Sequence, residues 1–160
     1  MHHIFLGLGS NLGDRLSYID EALNLIEDNG VKIIKKSTVY ETESWGVSTD
    51  RLFLNLVCEI ESDMAPFDLL RNLLSIEKKL GRERGNERYA DRTIDIDVLF
   101  YDCLVLESKE LTIPHPEIEK RRFVLVPLVE IAPDFIHPLL KTSLSEILEK
   151  CTDTCIVKRL

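Results

Sequence analysis

Apolar and acidic side chains alternate in the stretch Arg92-Thr93-Ile94-Asp95-Ile96-Asp97-Val98-Leu99-Phe100-Tyr101. Successive residues of a β-strand point to opposite faces of the sheet, so this pattern predicts a strand with two unlike faces. Asp95 and Asp97 would stand side by side on one face. The other face would carry the apolar side chains Ile94, Ile96, Val98 and Phe100. We therefore expect a strand from Ile94 to Tyr101 that buries one face and presents a carboxylate pair on the other.

Five further elements precede this strand in an order that predicts the topology. They are a strand from His3 to Leu8, a helix with an apolar stripe from Leu12 to Ile26, strands from Val31 to Tyr40 and from Phe53 to Glu61, and a helix from Pro66 to Leu80. The order β-α-β-β-α-β is typical of the α+β ferredoxin-like fold, an antiparallel sheet with both helices on one face. Short helical stretches near 117–121, 124–132 and 143–150 predict a C-terminal extension.

Length and composition restrict the class of protein. The chain has 160 residues and a net charge of −8, so we expect one domain over residues 1–160 and no nucleic-acid partner. Its apolar runs are far shorter than the ~20 residues of a membrane-spanning helix. The start of the chain does not fit the pattern of an export signal. The four cysteines form no C-x-x-C pair, and this spacing favours free thiols in a reducing compartment. We expect a monomeric, cytoplasmic protein.

The segment from Gly7 to Gly13 is rich in glycine but does not fit a nucleotide-binding loop. The G-x-G-x-x-G pattern requires glycine where Leu12 stands, and no Walker lysine follows. We expect a tight turn after the first strand, in which Ser10 and Asn11 cap the first helix.

Four arginines lie in the eleven residues that end at the start of the Asp-Ile-Asp strand: Arg82, Arg84, Arg88 and Arg92. The planar guanidinium group binds phosphate through two parallel hydrogen bonds, and a carboxylate pair suits Mg²⁺, which binds substrate phosphates as well. Together they favour polyphosphate transfer, in which positioning and charge neutralisation do most of the catalysis. The alternative is a solvated loop whose arginines pair with its own acidic residues and balance an exposed polar strand face.

Three other positions are unusual for their surroundings. Glu77 falls on the apolar stripe of the second helix, and a buried carboxylate must be paired, either with a loop arginine or with a ligand. His115 lies between two prolines, and such a histidine is more often a structural donor than a metal ligand. Phe53 and Asn55 share one face of their strand, where a planar ligand could stack on the ring and hydrogen-bond the amide.

The chain resembles the 6-hydroxymethyl-7,8-dihydropterin pyrophosphokinase family of folate biosynthesis, and the resemblance extends over essentially the whole sequence. The matching segments are Gly9-Ser10-Asn11-Leu12-Gly13-Asp14, Phe53-Leu54-Asn55, Glu77, Gly81-Arg82-Glu83-Arg84, Arg92-Thr93-Ile94-Asp95-Ile96-Asp97, Pro114-His115-Pro116, Arg121-Arg122-Phe123-Val124-Leu125, Pro127-Leu128 and Glu130-Ile131-Ala132-Pro133-Asp134. Their order and spacing make the resemblance specific. It implies transfer of pyrophosphate from ATP to the hydroxymethyl group of a reduced pterin, with release of AMP.

The resemblance also implies roles for twelve residues. Asp95 and Asp97 would hold two Mg²⁺ ions, and Arg82 and Arg92 would stabilise the transferring group. ATP would be bound by Glu77, Arg84, His115 and Arg121. The pterin would be bound by Thr42, Trp45, Asn55 and Phe123.

Two segments depart from the family pattern. Tyr89-Ala90-Asp91 stands where the family commonly has Trp-Gly-Pro, which is expected to loosen the arginine loop and adds a negative charge beside Arg92. Ser44-Trp45 replaces the family's usual proline before Gly46. These departures bear on loop kinetics and on details of the pocket, not on the reaction class.

Three alternatives share the predicted topology. A Mg²⁺-dependent nucleotidyltransferase or cyclase would also place carboxylates on a ferredoxin-like sheet, but it would release pyrophosphate instead of AMP. An RNA-recognition-like module would need exposed aromatic residues on a basic sheet face, and the sequence has no K/R-G-F-G-F-like run. A purely structural or regulatory domain would leave the carboxylate pair and the arginine spacing unexplained.

Overall fold

The computed structural model of the chain describes residues 1–46, 49–83 and 91–160. Helices and strands follow one another in the order β1 (His2–Ser10), α1 (Arg15–Asp28), β2 (Lys32–Lys36), β3 (Tyr40–Thr42), β4 (Phe53–Ser62), α2 (Pro66–Lys79), β5 (Asp95–Tyr101), β6 (Leu106–Glu107), β7 (Thr112–Ile113), a 3₁₀ turn (Ile118–Lys120), α3 (Arg122–Ile131), α4 (Leu144–Lys150) and β8 (Val157–Arg159). The elements predicted from periodicity are present, including the helical C-terminal extension.

Within the described residues, six strands form one sheet in the order β5-β1-β4-β3-β8, and β2 pairs with the far end of β4. Every pairing in this sheet is antiparallel. The long strand β1 lies between β4 and β5, which are far apart in sequence. This arrangement confirms the ferredoxin-like α+β fold.

The sheet separates two apolar cores. On one face, α1 and α2 cover the alternating side chains of β1, β4 and β5, as the sequence predicts. On the other face, α3 and α4 pack against Phe5, Val57, Leu99 and Phe100. The prediction that Phe100 shares a face with Ile94, Ile96 and Val98 is therefore wrong, because the β1–β5 register shifts between Phe5 and Leu6 and turns Phe100 to the second core. Because α3 begins only at Arg122, the C-terminal extension leaves the β5–β1–β4 face open where Asp95 and Asp97 lie.

Two local predictions near the N-terminus are wrong. Gly7 and Gly9 belong to β1 and do not form a turn, because β1 continues to Ser10 in register with both neighbouring strands. The first helix is capped by Asp14, whose carboxylate accepts a hydrogen bond from the backbone N–H of Ser17 at 3.1 Å. Asn11 has a different partner, described below.

The predicted strand from Val31 to Tyr40 is divided in two. Ser37 separates β2 from β3, and its hydroxyl accepts a hydrogen bond from the backbone N–H of Val57 at 3.0 Å. The two short strands pair with different parts of β4. No helix in the described part of the chain is long and apolar enough to cross a membrane.

Candidate active site

A cleft of about 310 Å³ opens on the uncovered part of the sheet. Its floor is formed by β1, β4 and β5, and its walls come from residues 42–45 and the segment that leads into α3. Of the twelve predicted site residues, ten line it: Thr42, Trp45, Asn55, Arg82, Arg92, Asp95, Asp97, His115, Arg121 and Phe123. Glu77 lies behind this lining, and Arg84 falls outside the described residues. The fold therefore brings together residues from six separate parts of the sequence.

Two glycines of β1 lie beside the carboxylate pair. Asp95 pairs with Gly9 and Asp97 with Gly7 across the β1–β5 ladder, so each carboxylate has a neighbour without a side chain. Glycine inside a strand often marks a close approach by another group. Here the two glycines leave space above the sheet beside both carboxylates.

Asp95 is held in a tight network of charges. The Arg82 Nη1 atom lies 2.6 Å from Asp95 Oδ1 and 2.6 Å from Glu77 Oε1, and Arg92 Nη1 lies 2.9 Å from Asp95 Oδ2. Glu77 is only 2% exposed and also accepts a hydrogen bond from the backbone N–H of Ile96 at 2.8 Å. Glu77 thus anchors Arg82 to β5, which is the structural pairing that the sequence left open.

The two carboxylates of the pair have opposite pKa shifts. Burial by itself would raise the pKa of Asp95, but Arg82 and Arg92 outweigh it and hold that pKa below its usual value. For Asp97, burial and the nearby negative charge of Asp95 raise the pKa to about 7, against the weaker opposing effect of Arg121. Asp97 therefore takes up a proton near neutral pH when no cation is close.

The carboxylate pair fits a hard divalent cation. Asp97 faces the cleft and forms no ion pair or side-chain hydrogen bond with a described residue. No group of three His, Cys, Asp or Glu side chains that could hold a metal occurs in residues 1–46, 49–83 and 91–160. A cation at this pair would therefore need further oxygen ligands from water and substrate, which is how Mg²⁺ commonly binds.

Asn11 fixes the end of the arginine loop, a role that sequence reasoning missed. Its Oδ1 accepts a hydrogen bond from the backbone N–H of Arg92 at 2.7 Å, and its own N–H donates to the Arg92 carbonyl at 3.1 Å. Its Nδ2 donates to Asp91 Oδ1 at 2.7 Å. The Asn11 backbone N–H and side-chain oxygen thus hold the Arg92 backbone, and the side-chain N–H group holds the Asp91 carboxylate. In the sequence Asn11 fits the pattern of a helix cap, and no local pattern indicates this long-range contact.

The opposite end of the cleft is lined by aromatic rings. Asn55 donates from Nδ2 to Thr42 Oγ1 at 2.6 Å, which fixes the plane of its amide. The Arg121 guanidinium lies 4.8 Å from the ring centre of Trp45 and 5.8 Å from that of Phe123. Its Nε is buried and has no hydrogen-bond partner among the described residues. Arg121 thus stands between the aromatic end and the charged end.

His115 is oriented by its backbone and its ring. The backbone N–H of His115 donates to the Leu99 carbonyl at 2.9 Å, and ring atom Nδ1 accepts from the N–H of Glu117 at 3.2 Å. In the neutral ring, accepting at Nδ1 places the proton on Nε2. His115 is therefore arranged as a hydrogen-bond donor at the edge of the cleft.

Adding a methyl group at Gly9 is expected to disturb the aromatic end. A Cβ there would lie 2.7 Å from Asn55 Oδ1, closer than real Cβ atoms approach, so the Asn55 amide would have to move. We expect Gly9→Ala to raise the KM for the ligand bound at Asn55 roughly tenfold and to cost about 1–3 kcal/mol of stability. Steady-state kinetics and thermal unfolding measure the two effects.

Gly7→Ala is the matched control for this substitution. Its Cβ would lie 3.4 Å from a methyl carbon of Leu99, which is a contact that a flexible side chain relieves by a small shift. The KM change should be smaller than for Gly9→Ala. Equal effects at both positions would contradict the proposed role of the Gly9–Asn55 contact.

Fold and cleft together define a class of protein: a ferredoxin-like enzyme that handles phosphate next to a planar ligand. The chain belongs to the family of 7,8-dihydro-6-hydroxymethylpterin-pyrophosphokinases (HPPK), whose family model matches residues 5–133. The resemblance seen in the sequence motifs is therefore confirmed.

Curated relatives agree with this family. An Aquifex aeolicus protein named 2-amino-4-hydroxy-6-hydroxymethyldihydropteridine pyrophosphokinase is 42% identical over 146 residues, which are 91% of this chain and 90% of the relative. A Porphyromonas gingivalis protein of the same name is 40% identical over 138 residues, or 84% of this chain and 93% of the relative. The chain spans only 20% of a Schizosaccharomyces pombe folic acid synthesis protein to which it is 40% identical.

Solved structures share the fold at low sequence identity. A Plasmodium falciparum HPPK-DHPS structure determined with pteroate superposes with a TM-score of 0.76 at 15% identity. The match covers 93% of this chain and 44% of the solved chain, so the present chain is less than half the length of that protein.

Proposed function

We propose that the cleft binds ATP at its charged end and a hydroxymethyldihydropterin at its aromatic end, and that it transfers pyrophosphate between them. As a member of the pyrophosphokinase family, the chain transfers this group from ATP to the hydroxymethyl group of 6-hydroxymethyl-7,8-dihydropterin and releases AMP, a step of folate biosynthesis. The observation that carries the assignment to the cleft is the position of the Asp95–Asp97 pair, which lies between the arginines and the aromatic wall.

The charged end is suited to a polyphosphate. Arg82 and Arg92 both contact Asp95, and each would exchange part of that contact for phosphate oxygens when ATP binds. Two guanidinium groups then neutralise charge that develops on the transferring group, while Glu77 keeps Arg82 in place. His115 and Arg121 would donate hydrogen bonds to phosphates from the opposite wall, and Arg84 is proposed for ATP by its motif alone.

Asp95 and Asp97 would hold Mg²⁺, and we propose two ions, as the family resemblance implies. Mg²⁺ bound there would screen the phosphates and lower the pKa of the attacking hydroxyl group. Asp97 is the better available ligand, since Asp95 is already paired with two arginines. Binding at Asp95 therefore requires the arginines to turn toward the substrate, which links cation binding to phosphate binding.

The aromatic end is suited to a flat, hydrogen-bonding ring. Asn55 offers an amide donor and acceptor at a fixed angle, because Thr42 holds one of its N–H groups. Phe123 and Trp45 offer ring faces, and Arg121 lies near both rings. We propose that the pterin lies against these rings with its edge toward Asn55 and its hydroxymethyl group toward the carboxylate pair.

Positioning accounts for most of the proposed catalysis. No side chain in the described cleft stands out as a general base. The two ends of the cleft instead hold donor and acceptor in line, which removes much of the entropic barrier. We also propose that residues 1–160 act as one domain and as a monomer, because a single chain supplies both ends of the cleft. The cytoplasmic location stays a prediction.

The test of this function is the identity of the nucleotide product. Incubation of the protein with ATP, Mg²⁺ and 6-hydroxymethyl-7,8-dihydropterin should release AMP in equal amount to the pterin consumed, as measured by ion-exchange chromatography. Omitting the pterin should stop AMP release. Formation of ADP, or of AMP without the pterin, would contradict the proposal.

Mg²⁺ binding is expected to depend on pH through Asp97. Its pKa of about 7 means that a bound cation displaces a proton below that pH but not above it. We expect affinity to rise up to about tenfold per pH unit below neutrality and then to level off. Calorimetry in buffers of different ionisation enthalpy should find about one proton released at acid pH and almost none in mild alkali. Affinity that does not change with pH, or equal proton release in both conditions, would contradict this role.

A further inference from the structure

The last ten residues of the chain, Cys151 to Leu160, lie outside the part that matches the family model. They line no part of the cleft, yet they contact both of the segments that form the walls of its aromatic end. One segment is the start of α3, which carries Arg121 and Phe123. The other is β3 with the residues after it, which carry Thr42 and Trp45. We call residues 151–160 the C-terminal strap.

Asp153 connects the strap to the start of α3. Its Oδ2 accepts a hydrogen bond from the backbone N–H of Arg122 at 2.9 Å, and its Oδ1 accepts one from Cys155 at 3.0 Å. Arg121, the residue at the N-cap position of α3, makes no side-chain cap hydrogen bond. Asp153 therefore supplies from a distant part of the sequence the cap that this helix lacks locally.

Charge strengthens this contact. Burial would raise the pKa of Asp153, but the N–H groups of Cys155 and Arg122 outweigh it and hold the pKa below its usual value. The side chain is therefore a carboxylate at neutral pH. A negative charge at a helix N-terminus is stabilised by the helix dipole and by the N–H groups that point toward it.

The other end of the strap holds the Trp45 side of the cleft. Strand β8 pairs with β3, in a register that sets Val157 against Thr42. Ile156 donates its N–H to Glu43 Oε2 at 3.1 Å and accepts the N–H of Glu43 at 3.3 Å. Only three residues separate Asp153 from this pairing. The strap is thus a short stretch of chain that is hydrogen-bonded to both walls.

These contacts act near the cleft, beyond the direct bond from the Tyr40 hydroxyl of β3 to Glu130 at the far end of α3. Trp45 and Phe123 come from different walls, and both rings lie near the Arg121 guanidinium. If the start of α3 moves away from β3, both rings and the amide at Asn55 lose their common geometry. The ion pairs of Arg82 and Arg92 at the charged end join Glu77 and Asp95, and none of them involves the strap in the described part of the chain.

We propose that Asp153 is a positioning residue for the pterin: it ties the start of α3 to the β3 wall and so sets the affinity of the aromatic end. This role rests on the proposed function of the cleft. It acts through Arg121 and Phe123, and it does not require Asp153 to touch either substrate. The strap is thereby a part of the substrate site although it lies outside the matched family region.

The test compares Asp153→Ala with the wild-type protein. Loss of one helix cap should raise the KM for the pterin roughly 3- to 10-fold. The KM for ATP should rise less, by up to about threefold, because Arg121 is only one of the four residues proposed for ATP, and kcat should stay within about twofold. Asp153→Asn keeps one oxygen acceptor and should recover part of the pterin affinity. An equal rise in both KM values, or no rise in the pterin KM, would overturn the proposal.

A second readout requires no activity. The chain contains one tryptophan, Trp45, so intrinsic fluorescence reports directly on the wall that faces Arg121. Asp153→Ala should change the Trp45 emission and increase its quenching by acrylamide in the protein without substrates. If the emission changes but neither the wild-type protein nor any variant forms AMP with the pterin, the result supports positioning of the Trp45 wall by Asp153. The same result contradicts the proposed function. Unchanged emission would overturn the positioning role.

Ser143→Ala is the matched control. Ser143 caps α4 by accepting a hydrogen bond from the N–H of Glu146 at 3.2 Å, and it lines no part of the cleft. Its loss should lower the unfolding temperature by an amount similar to Asp153→Ala. Pterin KM and Trp45 emission should stay at wild-type values. A matching rise in pterin KM would show that general destabilisation explains the effect and would overturn the proposal.

Discussion

Replacing Asp97 with asparagine is expected to lower kcat for pterin-dependent AMP formation by roughly 10³-fold or more. The carboxylate faces the cleft without a protein partner among the described residues, so the proposed Mg²⁺ loses its best ligand. Loss of several kcal/mol of charge stabilisation in the transition state corresponds to about this factor. Steady-state kinetics over a range of Mg²⁺ concentrations provides the measurement, and high Mg²⁺ should restore little activity.

The same substitution should stabilise the protein above neutral pH when no divalent cation is present. Since the pKa of Asp97 is raised to about 7, the folded state binds a proton more tightly than the unfolded chain. Its contribution to stability is therefore full in acid and is lost as pH rises through about 7. At about pH 8, Asp97→Asn should gain roughly 1–3 kcal/mol in the free energy of unfolding. Activity and stability would thus change in opposite directions.

Asp102→Asn is the control for the Asp97 substitution. Asp102 follows the other end of β5 and pairs with His2, outside the cleft. The kcat of the Asp102→Asn variant should remain within about twofold of wild type, because the lost contact is outside the cleft and surface ion pairs contribute little to stability. Substantial Mg²⁺-dependent turnover by Asp97→Asn would show that the carboxylate pair is not the cation site.

Replacing Arg92 with alanine is expected to reduce kcat far more than ATP binding. Arg92 is paired with Asp95 in the absence of ligand, so the phosphate contact that it gains when ATP binds is offset by the ion pair that it gives up. Its contact with the transferring group should strengthen as charge develops there in the transition state. Arginines in this role are worth about 10³-fold or more in kcat. We expect a loss of that order with the ATP dissociation constant changed less than about threefold. Single-turnover kinetics and equilibrium titration separate the two quantities.

Two variants complete this experiment. Arg92→Lys keeps the charge but loses the planar fork, so its kcat should lie between those of wild type and Arg92→Ala. Arg51→Ala is the control. It removes an exposed guanidinium that pairs at 3.2 Å with Asp91, the residue before Arg92, and it should have little effect on kcat. Equal losses of kcat and ATP affinity in Arg92→Ala would mean that Arg92 binds the ground state, contrary to the proposed role.

Much of the fold could be predicted from local patterns. The alternation in β4 and β5 identifies which residues face the helices α1 and α2, and β4 buries the predicted side. In β5 the prediction is correct as far as Val98, but the register shift that places Phe100 in the other core left no sign in the alternation. The Asp95–Asp97 pair follows from the same rule, because residues two apart on a strand share a face. These predictions succeed because each depends only on the period of a single element.

Other features depend on contacts between distant residues and left no local signal. Gly7 and Gly9 resemble a turn in sequence, and only the approach of Asn55 explains the glycine at position 9 inside a strand. Asn11 resembles a helix cap, but it bonds to Arg92, which lies 81 positions away. The three-residue strand β8 is too short for any alternation to be visible. No pattern in the sequence predicts that β8 pairs with β3 beside the site.

The most direct test of the central claim is the phosphorus NMR spectrum of a complete reaction of wild-type protein with ATP, Mg²⁺ and 6-hydroxymethyl-7,8-dihydropterin. The account predicts the AMP signal together with two mutually coupled signals of a diphosphate esterified to the hydroxymethyl oxygen of the pterin. A signal of free pyrophosphate formed alongside a pterin–AMP ester would instead indicate nucleotidyl transfer. That result, or a pterin monophosphate formed with ADP, would contradict pyrophosphate transfer in this cleft.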